Sequence, residues 1–279
     1  SSTDFTILKG GTVTGSGTFK TQGASTSMNI RANSFFNVAL VVNSGVTTAN
    51  DLSSPYVGRI YGSVTVDAGA DLRTGSSSSY TLEAYDIVVN NGTISGSGAE
   101  FNLRGPSLVN NGAVTSSNFE MDSASALSGS GSYTGNTIVI NGAANISMSN
   151  NVTFSPFTSF TINNGGVLNP NSKTITFNSG SLVLNSGGTI SNSGLIQTQG
   201  TVSFNIRGGS NFNAPVKVNT GTTTATELSS PYIGRLLGNV TVDAGANLYT
   251  GTSGSYSLEV YGNVINNGII SGTGAAFIL

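Results

Sequence analysis

The chain has 279 residues, with 10 Lys and Arg against 12 Asp and Glu and no His, Cys or Trp. Near-neutral charge leaves no electrostatic footprint for nucleic acid, no apolar run approaches the roughly 18–20 residues of a membrane span, and disulfides, zinc fingers and imidazole bases are excluded outright. Ser (42), Thr (33), Asn (32) and Gly (38) fill more than half of the chain, yet Val, Ile, Leu and Phe recur at regular spacing, unlike a disordered tail.

In chain order, the first clear element is Ser27-Met28-Asn29-Ile30-Arg31, whose alternation predicts a strand. Residues Thr47 to Gly62 contain Ser-Ser-Pro-Tyr and are expected to bulge as an insertion. Tyr80-Thr81-Leu82-Glu83-Ala84-Tyr85 alternates again. Parity puts Tyr80 inward with Leu82, and Tyr85 outward with Glu83. A corner motif, Asn or Asp followed within two positions by Gly, recurs at Gly45, Gly69, Gly92, Gly112, Gly142, Gly165, Gly187, Gly221, Gly245 and Gly268. These glycines are expected to supply the positive φ of tight corners. Asn residues at such corners are expected to hydrogen-bond along the stacking axis. No stretch has helical periodicity.

The strongest signal is an internal repeat. Residues 51–103 return at 227–279 without a gap, with 35 identities in 53 positions at an offset of 176. Asn29-Ile30-Arg31 returns as Asn205-Ile206-Arg207. The chain therefore divides into 1–176, a first repeat unit, and 177–279, a partial second copy. Comparing the copies sorts the strand positions. Met28/Phe204, Ala84/Val260 and Val89/Ile265 exchange apolar for apolar and are expected inward. Val41/Lys217, Arg73/Tyr249, Glu100/Ala276 and Asn102/Ile278 change chemistry and are expected outward.

Short strands separated by Asn/Gly corners, recurring every 20–30 residues, predict an all-β, right-handed parallel β-solenoid of roughly 11–12 coils. A 176-residue repeat of seven or eight coils would rise roughly 35 Å. The ends, Ser1–Phe5 and Ala275-Ala276-Phe277-Ile278-Leu279, carry no capping helix and are expected to be uncapped. The strings Asn90–Gly98 and Asn266–Gly274, of the form Asn-Asn-Gly-x-Ile-Ser-Gly-x-Gly, resemble the repeats of secreted bacterial β-helix surface fibres and adhesins, of the autotransporter-passenger, filamentous-haemagglutinin-like or giant repetitive adhesin type. The resemblance implies secretion to the bacterial cell surface and adhesion or fibre formation. Copies of itself end to end, or further repeats of a longer chain, would be its partners.

Candidate chemistry is sparse. Asp67 and Asp71 are the nearest acidic pair, but the second copy has Asp243 and Asn247, so no enzyme is expected. The recurring charges are Arg31/Arg207, Asp51/Glu227, Arg59/Arg235, Asp67/Asp243 and Glu83/Glu259. Apart from the Asp67/Asp243 corner, they are expected to be structural, pinning the insertion by ion pairs. Calcium is the metal alternative, without the Asp-x-Asp-x-Asp loop that would argue for it, so no cofactor is expected. Tyr56, Tyr85, Tyr232 and Tyr261 are candidate binding residues for a glycan or a partner cell surface. The primary expectation is a structural rod segment. The alternative is an adhesin module contacting its target through the flank or through residues 47–62 and 223–238.

Overall fold

The computed structural model describes every residue except 1, 32, 51–55, 76 and 227–231. Among the described residues there is no helix, and the strands pair in parallel as stacked coils of a β-solenoid of about 12 turns. Contacts divide the chain into two compact units, Ser1–Asn136 and Thr137–Leu279. The repeat boundary at 176 falls inside the second.

In the first unit three inward rows, one on each side of the coil, form the core. One row runs Phe36, Ile60, Ala84, Leu103, Met121. The next runs Leu40, Val64, Val88, Leu108, Leu127. The third runs Thr47, Leu72, Ile94, Val114. All are buried. Each side chain rests on its equivalent in the coil below, so a coil alone could not bury it. Stacking stabilises each Val, Leu or Ile by about 1.5–3 kcal/mol. Coil length varies with the corners. Phe101 pairs with Phe119, 18 residues on, and Thr47 with Leu72, 25 on. The shortest coils thus fall just under the expected 20 residues.

The second unit repeats the scheme. Ile146, Leu168, Ile190, Phe212, Leu236 and Val260 make one row, and Ile175, Ile196, Val216 and Val240 another. Phe154 stacks on Phe177 at 5.6 Å between ring centroids, with Phe157 and Phe160 edge-on to the same ring at 5.5 and 5.3 Å.

Asparagine ladders join the coils as expected. In the second unit Asn185 Nδ2 donates to Asn163 Oδ1 and Asn163 Nδ2 to Asn141 Oδ1, each at 2.8 Å. In the first, Asn90 Nδ2 donates to Asn110 Oδ1 at 2.8 Å, and both residues are fully buried. This corrects one expectation. Val88 and Asn90 point inward, so Val89 faces out, and Ile265 is 56% exposed. The corner glycines also differ from expectation. Gly45, Gly69, Gly165, Gly187, Gly221 and Gly245 have positive φ, whereas Gly92, Gly112, Gly142 and Gly268 do not. What requires glycine at Gly112 is space: a Cβ there would lie 1.9 Å from the backbone oxygen of Gly92 in the coil beneath.

Of the expected insertions, Val46–Asn50 and Val57–Ile60 are ordinary strands of the stack, as are Thr222–Thr226 and Ile233–Leu236. Residues 51–55 and 227–231, which hold Asp51, Glu227 and the Ser-Ser-Pro part of the expected bulge, lie outside the described residues. The corner reading of Asp67 and Asp243 holds. Ala70 N donates to Asp67 O, and Ala246 N to Asp243 O, each at 3.0 Å.

Candidate binding surface

The strand register brings two of the recurring charges of the first unit, Arg59 and Glu83, into one outward strip. Arg59 pairs in register with Glu83, and Glu83 with Asn102, which pairs with Glu120. Arg59 Nε meets Glu83 Oε2 at 2.6 Å. The Tyr85 hydroxyl donates to the same oxygen at 2.9 Å. Arg104 Nη2 reaches Glu83 Oε1 at 2.9 Å and Asp122 Oδ2 at 3.0 Å. Asn102 Nδ2 donates to Asp122 Oδ2 at 2.7 Å. Glu83 is only 5% exposed, and this set of donors is what makes a carboxylate tolerable there. These pairs join coil to coil, and the one from Arg59 ties residues 47–62 to the neighbouring coil.

An aromatic stack runs beside the charges. Phe35 stacks on Tyr61 at 4.5 Å, Tyr61 on Tyr85 at 4.6 Å, and the Arg104 guanidinium lies 5.8 Å from the Tyr85 ring centre. Burial, and then the hydrogen bond to Glu83, hold the Tyr85 phenol above its ordinary pKa. Tyr85 therefore faces outward, as parity predicted, but its ring faces are occupied by neighbours.

The second copy keeps the ion pair and loses the stack. Arg235 Nε meets Glu259 Oε2 at 2.8 Å, and the Tyr261 hydroxyl donates to that oxygen at 2.9 Å. The bond from Arg235, then that from Tyr261, holds the Glu259 carboxyl below its usual range. Asn211 and Leu237 stand where the first copy has Phe35 and Tyr61, and Tyr261 is 65% exposed. Tyr56 and Tyr232 are alike in both copies: 37% and 38% exposed, with φ of 61° and 60°. Each packs against a second tyrosine, Tyr80 or Tyr256. Tyr80, expected inward, is half-buried at a turn closed on Ser77. Arg31 and Arg207 are equivalent too, each with a buried Nε that has no hydrogen-bond partner among the described residues.

Tyr61, Arg104 and Asp122 also belong to the strip, and nothing in the sequence signals them; Glu100 and Asn102 register there only as positions that vary between the copies. Burial, followed by the charges of Glu120, Asp122 and Glu83 and offset by Arg104, pushes the Glu100 carboxyl up to about 7. Unfolded, it would titrate near 4.3. A folded pKa above the unfolded one contributes stability that is full below about 4.3 and is lost as pH rises through about 7. Urea unfolding should therefore show stability falling between about pH 4.5 and 7, by about 1–2 kcal/mol after allowance for partial exposure. In Glu100→Gln that part of the slope should vanish. An unchanged slope would refute the assignment.

Among the described residues, no group of three or more acidic, His or Cys side chains is placed to hold a metal ion. Comparison with protein-family models, with curated proteins and with solved structures gave no match to this chain.

Proposed function

We propose that the chain is a non-catalytic, structural segment of an extracellular bacterial surface fibre that gains length by stacking coil on coil. Its partners would be further repeats of the same unit or other copies end to end. One observation carries this reading: the second copy rebuilds the ladder of the first position by position. Leu40, Val64 and Val88 return as Val216, Val240 and Val264, each trio paired in one row. Phe36, Ile60 and Ala84 return as Phe212, Leu236 and Val260. The pair Arg59–Glu83 returns as Arg235–Glu259. Repetition of neighbour contacts adds length and no new chemistry. The absence of Cys and the wealth of Ser, Thr and Asn suit an exposed location.

Immunogold labelling of intact source cells with antibodies against the purified chain tests this reading. Label along surface fibres is expected. Label confined to the cytoplasm would overturn it. A second reading, contact with a glycan or partner cell through the flank, draws support from Tyr56 and Tyr232. A non-glycine residue held exposed at positive φ in both copies is a strained feature of the kind found at functional sites.

A further inference from the structure

On a different side of the first unit, the outward row Thr48, Arg73, Ser95, Thr115 runs up successive coils. It lines a groove of about 600 Å³. The strand register slips between Gly96 and Glu100, so the chain there leaves the ladder. Ser97, from that departure, lines the groove with Ser117. Gly96 lines the groove with backbone alone; a Cβ there would turn inward and lie 2.2 Å from the buried Thr74 Oγ1.

The groove's one cation is fixed and neutralised. Arg73 Nε donates to Asp71 Oδ2 at 2.7 Å, and Ser95 Oγ donates to Asp71 Oδ1 at 2.6 Å. Among the described residues, Thr48, Ser97 and Thr115 use no hydroxyl in any side-chain hydrogen bond. In this row the free hydroxyls of Thr48 and Thr115, each able to donate and accept, thus flank one charge-neutral Arg73–Asp71 pair and the Ser95 hydroxyl bonded to it, successive coils rising by about 4.8 Å. The second copy lacks this arrangement. Tyr249 replaces Arg73, and its hydroxyl bonds Thr273 Oγ1, the counterpart of Ser97, at 2.8 Å, spanning the same place.

We propose that this groove binds a linear, uncharged oligosaccharide lying along the coil stack, its vicinal hydroxyls paired with the Thr and Ser hydroxyls and with Arg73. A neutral lining of paired donors and acceptors matches sugar hydroxyls, and the balancing charge of Asp71 disfavours an acidic glycan. No aromatic side chain supplies a stacking platform in the groove, so affinity for one tetrasaccharide is weak, with Kd on the order of 1 mM. The proposal belongs with the contact reading, and its failure would leave the rod reading standing.

The test is a titration of the full ¹⁵N-labelled chain with cellotetraose, mannotetraose and a chondroitin sulfate tetrasaccharide, followed by amide shifts. At least one neutral sugar should shift Ser95, Ser97 and Thr115 in a saturable way that does not depend on salt. The variant Arg73→Tyr, which installs the residue the second copy already carries and so keeps the fold, should abolish those shifts. Three results would each overturn the proposal: no shift in the groove with either neutral sugar, shifts that survive in Arg73→Tyr, or tighter binding of the sulfated sugar.

Discussion

Replacing Gly112 with alanine should destabilise the first unit by about 3 kcal/mol or more, at the upper end of what overpacking does. The added Cβ would lie 1.9 Å from the Gly92 oxygen, a backbone atom that cannot rotate away. The coils cannot part to admit it. Ala113 N donates to that same Gly92 oxygen at 2.9 Å, and Ser132 N donates to the Gly112 oxygen at 2.9 Å, so the corner is hydrogen-bonded below and above. Gly69 is the informative comparison, with φ of 80° and nothing within 4 Å of the same added atom. Gly69→Ala should carry only the conformational penalty of about 1 kcal/mol. Urea unfolding of the two variants separates space from dihedral angle. Equal effects would contradict the packing argument.

Phe177→Ala should lower the stability of the second unit by about 3–5 kcal/mol. Phe177 is fully buried and touches three other rings, Phe154, Phe157 and Phe160. Parallel strands on both sides hold the backbone spacing, so the space left by the ring cannot collapse. Phe177→Leu, which keeps most of the volume, should lose about 1.5 kcal/mol or less. A loss under about 1 kcal/mol in Phe177→Ala would mean that the ring cluster is loosely packed.

Much of this architecture was legible because the sequence carries two copies of itself. Comparing them identified Met28 and Ala84 as inward, and both are buried. The same comparison misled at Val89, because in a three-residue strand closed by asparagine the buried neighbour is polar. Asn90 satisfies its amide through Asn110 and the Ala113 carbonyl, so an apolar pattern does not register it. Copy comparison is also blind to what only one copy has. Tyr61 was passed over because its counterpart is Leu237, and Arg104 and Asp122 because their counterparts would lie past residue 279. The strip around Glu83 depends on those three residues. Its extent became visible only when the register set residues 18 to 24 positions apart side by side. Corner glycines were found correctly, but sequence cannot separate a glycine needed for φ, such as Gly69, from one needed for room, such as Gly112.

On the proposed reading, the 176-residue repeat is a unit of length. Chains carrying two, three and four tandem copies, imaged by negative-stain electron microscopy, test it directly. Particles of constant width are expected, their contour length growing by about 35 Å with each copy, seven or eight coils at one strand spacing each. Particles that grow in all directions, or whose length does not follow copy number, would contradict it.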